Sequence, residues 1–403
     1  MMRVPNGWRM APLSEFLRES RVPGGDGRTA KKLTVKLYGR GVLAKETATA
    51  GSENTKYYRR CAGQFIYSKL DFLNGAFGIV PPELDGREST LDLPAFDILP
   101  GIVPEWLVFY VTREQFYSAY TDLARGGRKA RRVSPEEFLR IEVPLPPLSE
   151  QRRIAEILSS VDEAIATTQA VIEQTRTVKQ GVLKRLLTRG IGHTRFKQTE
   201  IGEIPEAWEV RPIDELCRLT NGNGFRPPDW SDQGLPIIRI QNLNGSRKFN
   251  YFAGLPKEKW IVEHGDLLFS WAGVRGVSFG PCLWTGPRGV LNQHIFKVHT
   301  AKGIRKKWLF HAMELVTARI EEKAHGFKAS LLHVHKSEIT SQLIGVPNES
   351  EQTEIVRAME SLSQAEAREA TKLGSLRDVK SALMADLLTG RKQVPDTILA
   401  AAE

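Results

Sequence analysis

The sequence predicts two copies of a mixed α/β (α+β) domain, separated by two long antiparallel coiled-coil helices in a pseudo-two-fold tandem duplication. Three observations predict it. The segment PPLSEQRRIAEIL around Ser149 returns as VPNESEQTEIVRAM around Ser350, 201 positions later. Other matches keep the same order at offsets between 200 and 202: VPNGW (4–8) with IPEAW (204–208), GQFIYS at Gly63 with GDLLFS at Gly265, Trp106-Leu107 with Trp308-Leu309, and VKQGVLKRLLT from Val178 with VKSALMADLLT from Val379. Each copy also ends in a long run without proline, in which apolar residues step by threes and fours.

Taken in chain order, residues 1–146 read as a first mixed domain, with 65–67 strand-like and the stretch after Trp106 helical. Residues 147–189 read as the first long helix. Prolines block helix upstream, and Ser149 is placed to cap it. Apolar or small residues at 154, 158, 161, 165, 168, 172, 175, 178, 182 and 186 form its seam, and Gly190 ends it. Residues 190–203, rich in glycine and polar side chains, read as a linker. Residues 204–347 repeat the mixed domain, with strand-like runs at 237–240, 267–270 and 295–298 and a helix after Trp308. Residues 348–390 are the second long helix, whose seam holds Ile355, Met359, Leu362, Leu373, Leu376, Val379, Leu383 and Leu387 and which stops at Gly390. Residues 391–403 read as a flexible tail. A run of this length makes a rod of roughly 55 Å, too narrow to bury its own seam, so the two helices should pack on each other.

Composition sets the class of partner. In 403 residues, 41% hydrophobic and 26% charged content is the balance of folded domains with real cores, and the length predicts more than one domain. Lysine and arginine total 57 against 47 acids, a net charge of +10 that favours a polyanion. Three scattered cysteines, Cys61, Cys217 and Cys282, form neither a disulfide framework nor a zinc ribbon and fit a reducing cytoplasm. The apolar run 98–111 is broken by Pro100, Pro104 and Glu105, so no membrane segment is expected.

Catalytic signatures are sparse. The cluster Gly24-Gly25-Asp26-Gly27 lacks the lysine of a phosphate loop and reads as a turn, and no strand is followed by GxGxxG. His333 and His335 would share a strand face but lack a third ligand at convincing spacing, which favours a surface or DNA-facing pair over a metal site. Residues 319–323 read as a solvated helix face, since the proline-acid pair of a metal nuclease does not precede them.

The binding candidates are basic and amide-rich. ARGGRKARRV carries Arg125, Arg128, Lys129, Arg131 and Arg132, suited to phosphates or, for one arginine, to a guanine edge. VKLYGRG offers Lys36, Tyr38 and Arg40. In the second copy RIQNLNG presents Arg239, Gln241, Asn242 and Asn244, and NQH presents Asn292, Gln293 and His294; amides pair with adenine but also stabilise turns. Phe327, Lys328, His333 and His335 complete the set.

With the repeat in place, PLPPLSEQRRIAEIL with VKQGVLKRLLT, IGEIPEAWEV, YSKLDFLNGAFGIVPPEL, PIIRIQNLN and GVLNQHIFKV make the chain resemble the specificity subunit of type I restriction-modification systems over nearly its whole length. That resemblance implies two target-recognition domains, each reading half of a split double-stranded DNA sequence, with the paired helices setting the gap and docking modification subunits. It implies no catalysis and no cofactor in this chain, while S-adenosylmethionine, ATP and Mg belong to the modification and restriction subunits. Ile154, Leu158, Val161, Ile165, Ile355, Met359, Leu362 and Leu376 are the expected positions for helix packing and partner docking. In the second helix EQTEIVRAMESL departs from the fuller EQRRIAEIL, which makes docking there less secure. The competing readings are a stand-alone sequence-specific DNA-binding or scaffold protein, and a fused nuclease or methyltransferase that would need a catalytic centre.

Overall fold

The computed structural model describes residues 5–46, 51–126, 131–323 and 331–394. The chain forms two compact units, Met1–Ala170 with Thr371–Glu403, and Val171–Ala370. Both long helices are shared between the units.

In the first unit Leu17–Ser20, Ala95–Ile98, Phe65–Tyr67 and Phe77–Ile79 lie in that order in an antiparallel sheet. Successive side chains of a strand point to opposite faces, and Phe65–Tyr67 uses both. Phe65 and Tyr67 join Phe72, Phe77, Phe96 and Phe138 in the main core, while Ile66 turns the other way onto Leu33, Val35 and Val42. A strand covered on both faces can be apolar throughout, which is why FIY shows no alternation. The Phe65 and Phe138 rings stack with centroids 5.6 Å apart, and the Tyr67 hydroxyl donates to the Val133 carbonyl at 3.1 Å. Arg9–Pro12 pairs with Glu142–Leu145, and the helix Pro104–Val111 buries Trp106 and Leu107 completely.

The second unit repeats this frame. Cys217–Asn221, Ile295–Thr300, Leu267–Ser270 and Gly280–Leu283 form a sheet of the same order, and Glu209–Pro212 pairs with Leu343–Val346. Leu267 and Phe269 face the main core while Leu268 packs with Ile238, Val262 and Trp284. The helix Lys306–Lys323 buries Trp308.

The helices Leu148–Arg189 and Glu349–Leu387 pair antiparallel within each unit. In the first, Ile154 and Leu158 share a core with Leu383 and Leu387. In the second, Leu183, Leu186 and Leu187 share one with Ile355 and Val356. Gly190 (φ +63°) directly follows the first helix, while the second ends at Leu387, three residues before the expected Gly390 (φ +67°); both glycines lie in the left-handed region, where a side chain would be strained.

Several expectations change. The first helix begins at Leu148, so Ser149 lies inside its first turn instead of capping it; in the second copy Asn348 is the cap, accepting from the Glu351 N–H at 3.0 Å. Val178 and Val379 leave the seam, 47% and 48% exposed, because a helix of 3.6 residues per turn drifts from a strict seven-residue repeat. The segment 190–203 is not a bare link: Phe196–Thr199 pairs with Gly202–Pro205. Of the expected tail, Val394 is buried in the first unit's core and the Gln393 amide donates to the Asn6 carbonyl at 2.9 Å; residues 395–403 lie outside the described residues. The stretch 319–323 is not simply solvated, since Arg319 donates to the Leu343 carbonyl at 2.8 Å and burial holds its pKa below the usual arginine value. Gly24 and Gly25 lie in the strand Pro23–Asp26, whose Gly25 N–H donates to Glu88, and the turn follows them.

Candidate nucleic-acid interface

One pair of contacts ties each domain to its helix. In the first unit the indole N–H of Trp8 donates to Glu150 at 2.9 Å, and Gln151 accepts from the Val103 N–H at 2.8 Å while donating to the carbonyls of Pro146 (2.9 Å) and Gly101 (3.3 Å). In the second, Trp208 donates to Glu351 at 2.9 Å, and Gln352 accepts from the Arg305 N–H (2.9 Å) and donates to Pro347 (3.0 Å) and Gly303 (3.1 Å). The repeated Trp and Glu-Gln therefore lock the frame onto the start of each helix, and buried polar groups satisfied this way fix one geometry. Sequence comparison marks these residues but not this partnership.

On that frame the first unit presents two basic loops. The hairpin of Leu33–Val35 with Val42–Ala44 carries Lys36, Tyr38 and Arg40 at its tip, all exposed. Tyr38 sits at φ +58°, an unusual value for a residue with a side chain, and the backbone holds it there: Tyr38 N–H donates to Asn74 at 2.9 Å and Gly39 N–H to Gly75 at 2.8 Å. A phenol 61% exposed on a pinned loop is a ready stacking surface. At the second loop Arg125 and Arg132 exchange backbone hydrogen bonds of 2.9 and 2.8 Å. Arg125 is ion-paired with Glu137 (2.7 Å) and Arg132 with Asp92 (3.3 Å), while Arg131 is exposed. Arg128 and Lys129 lie outside the described residues.

The second unit sorts its candidates differently. Asn242 is buried: its carbonyl oxygen accepts from the Arg239 N–H at 2.9 Å and its amide donates to Ser246 and Lys248 carbonyls, each at 3.0 Å. It builds the turn and is withdrawn as a base reader. Arg239 lies over the Trp230 ring, 4.5 Å from its centre, and Gln241 and Asn244 remain exposed. Asn292 pairs through its backbone with Asn223, and Gly222 is required there because a Cβ would fall 2.2 Å from the Asn292 carbonyl oxygen.

Next to it His294 and His333 converge on Trp271, with ring centres 5.1 and 4.7 Å from the indole, and Gln293 contacts the His294 ring at 3.1 Å. Trp271, Phe296, His333, His335, Lys336 and Asn221 surround a cavity of about 220 Å³. His333 ends the strand Leu331–His333, whereas His335 caps the next helix, Lys336–Thr340, so the two do not share a strand face. Sequence reading missed Trp271, though it is the first residue past the matched GDLLFS. Lys328 and Phe327 lie outside the described residues. Among the described residues no group of three or more His, Cys, Asp or Glu is placed to hold a metal, and no helix is long and apolar enough to cross a membrane.

The helix positions expected to pack or dock divide. Ile154, Leu158, Ile355 and Met359 are fully buried and serve packing, which leaves them no surface for a partner; Val161, Ile165, Leu362 and Leu376 are half-buried.

The family model for the type I restriction modification DNA specificity domain matches residues 109–175 and 205–376, more than half of the chain. The chain is 27% identical over 422 residues to the putative type I restriction enzyme MjaX specificity subunit of Methanocaldococcus jannaschii, covering 97% of this chain and 95% of that one. It is 32% identical over 170 residues to the MjaVIII specificity subunit of the same organism, covering 41% of this chain and 39% of that relative. Its fold matches a chain solved for the "structural basis underlying complex assembly and conformational transition of the type I R-M system", with a TM-score of 0.63 at 16% identity, covering 96% of this chain and 99% of that one. With a duplicated frame, two sets of exposed basic, amide and aromatic loops and these matches in hand, the chain belongs to the type I restriction-modification DNA specificity family, as its sequence-recognition subunit.

Proposed function

We propose that each unit reads one half of a split DNA target, and that the two long helices set the spacer between the halves. The observation that carries this reading is the repetition of one frame under two unrelated sets of loops. A shared frame gives both copies the same way of lying on a duplex, while the loops supply different base contacts. Lys36, Tyr38, Arg40, Arg125, Arg131 and Arg132 are the contacts proposed for one half-site, and Arg239, Gln241, Asn244, Gln293, His294, His333 and His335 for the other. Methyl transfer and cleavage, with S-adenosylmethionine, ATP and Mg, are assigned to modification and restriction subunits docked on this chain. Docking is assigned to the outward apolar positions of the helices: Val171 and Val178, one heptad apart and 41% and 47% exposed in the second unit, and Val379 in the first.

The test is sequencing of host DNA for methyladenine with and without this gene. A split motif that vanishes on deletion supports the reading, and an unchanged set of motifs rejects it. Adding one heptad after Gln169 and one after Ala370 should change the spacer and leave both half-sites unaltered. A changed half-site with an unchanged spacer would overturn the ruler role.

A further inference from the structure

The two copies occupy one set of backbone positions with unlike side chains. In the first unit the Lys69 N–H donates to the Asp92 carbonyl at 2.9 Å, and the Val133 N–H donates to the Lys69 carbonyl at 3.2 Å. In the second, the Trp271 N–H donates to the His294 carbonyl at 3.3 Å, and the Val334 N–H donates to the Trp271 carbonyl at 3.0 Å. The same bonds, 201 to 202 positions apart, equate Lys69 with Trp271, Asp92 with His294, and Arg132 with His333. The following residues, Ser134 and His335, open equivalent short helices, Pro135–Leu139 and Lys336–Thr340. A backbone kept constant around three side chains that change from charged to aromatic and imidazole is what a reading position requires.

We infer that Lys69, Asp92 and Arg132 in the first unit, and Trp271, His294 and His333 in the second, are matched specificity-determining positions, and that Arg132 reads a guanine. The inference rests on the half-site reading proposed above and names the base. Arg132 is exposed, and its Nε is held by Asp92 at 3.3 Å, which orients the guanidinium and leaves both terminal nitrogens for the O6 and N7 of one guanine. Its charge also decides between base and backbone. A guanidinium beside a carboxylate forms a nearly neutral pair, poorly suited to a phosphate and well suited to an uncharged base edge. His333, packed edge-on against Trp271, has no such fork, so the second unit reads its matched position by other chemistry.

The test uses cells that carry the complete system and compares the methyladenine motifs made with wild-type chain, Arg132→Ala, Arg132→Lys and Asp92→Asn. Arg132→Ala should lose the requirement for a single guanine in one half-site, with discrimination falling about ten- to hundredfold, and leave the other half-site intact. Arg132→Lys, which keeps the charge without the fork, should relax the same position. Asp92→Asn should relax it less. A phosphate role gives the opposite pattern: Arg132→Ala lowers methylation at all sites with an unchanged motif, and Asp92→Asn raises it, which overturns the inference. A wild-type chain that directs no split motif sinks the half-site reading as well, whereas a split motif untouched by Arg132→Ala sinks only the guanine assignment. Melting of the purified variants shows whether a global loss of methylation reflects unfolding.

Discussion

Between the second and third strands of its frame the first unit builds a hairpin, Leu33–Val35 with Val42–Ala44, and the strands Pro23–Asp26 and Lys56–Arg59, which Glu88–Ser89, just ahead of the Ala95–Ile98 strand, completes into a separate sheet. The second unit uses the two matching stretches for a sheet in which Leu235–Ile238, from the first, runs parallel to Gly289–Leu291, just ahead of the Ile295–Thr300 strand. The organising residues differ too. In the first, Arg60 is fully buried, donating to Ser89 at 2.7 Å, Ser20 at 2.8 Å and Leu93 at 3.1 Å, and burial lowers its pKa to about 10. In the second, the position 202 residues on is Val262, packed with Ile238 and Trp284. One unit places a satisfied charge where the other places hydrocarbon, and the frame beneath is unchanged. The frame tolerates either because its own core, helix latch and strand order are complete without the loops.

Replacing the frame's shared parts should therefore act equally in both units. Trp106→Ala and Trp308→Ala each empty a fully buried site in equivalent helices and should each cost about 4 kcal/mol, measured by denaturant unfolding with hydrogen exchange to assign the loss to a unit. A twofold difference would show that one frame relaxes around the cavity and that the copies are not mechanically equivalent. The helix latch should be less even. Glu351 accepts from Trp208, from the Ile191 N–H at 2.9 Å and contacts His193 at 2.9 Å, whereas Glu150 holds Trp8 and leaves its other oxygen buried without a hydrogen bond. Glu351→Ala should cost about 3 kcal/mol and Glu150→Ala about half that, by the same measurement.

The duplication and the long helices were legible because both rest on local signals: apolar spacing over many turns, and tryptophan and Ser-Glu-Gln groups at a fixed offset. Phe65–Tyr67, Leu267–Ser270 and Ile295–Thr300 were legible as apolar runs between turn residues. The loops were not. Their strands are two to four residues long, and the parallel pairing of Ile237 with Val290 joins segments that nothing nearby in sequence connects. At the proposed interface, residue type marks Arg132, His294 and His333 as candidates, but Trp271 and Asp92 become candidates only through the partners the fold brings to them. Asn242 failed for the opposite reason, since an amide in a turn and an amide facing a base look alike in sequence.

The two units also differ in a titrating group. At the turn before the third strand Gln64 accepts from the Cys61 N–H at 2.9 Å, and at the matching turn Asp266 accepts from the Glu263 N–H at 2.8 Å and pairs with Lys297 at 2.7 Å. Partial burial works to raise the Asp266 pKa, but the Glu263 and Lys297 hydrogen bonds outweigh it and hold the carboxyl below its usual value. A carboxyl depressed in the folded state stabilises above its unfolded pKa, and that stability is lost as pH falls through the folded value. The second unit should therefore weaken on strong acidification through Asp266, whereas the matching side chain in the first, Gln64, is an amide that does not itself titrate. Asp266→Asn should remove that part of the acid slope and cost about 1 kcal/mol at neutral pH after solvent screening, read from unfolding curves between pH 7 and the acid limb.

The smallest expected effect lies along the helices. Glu366 bridges Arg176 at 2.8 Å and Lys179 at 3.4 Å in the second unit, while Asp162 pairs with Lys380, the counterpart of Lys179, at 2.6 Å in the first. The Arg176 hydrogen bond keeps the Glu366 carboxyl below its usual range, so this contribution is present at neutral pH and disappears as pH falls through the folded value. Such part-exposed pairs give under about 1 kcal/mol and are screened by salt. Glu366→Gln should thus cost a few tenths of a kcal/mol at low salt, slightly more than Asp162→Asn, and both differences should vanish near 1 M salt. If the ion pairs are weak and the latches at Glu150 and Glu351 strong, helix register is fixed at the ends by the frames and only trimmed by charge between them. A loss from Glu366→Gln as large as that from Glu351→Ala would reverse this order and place the register in the rod itself.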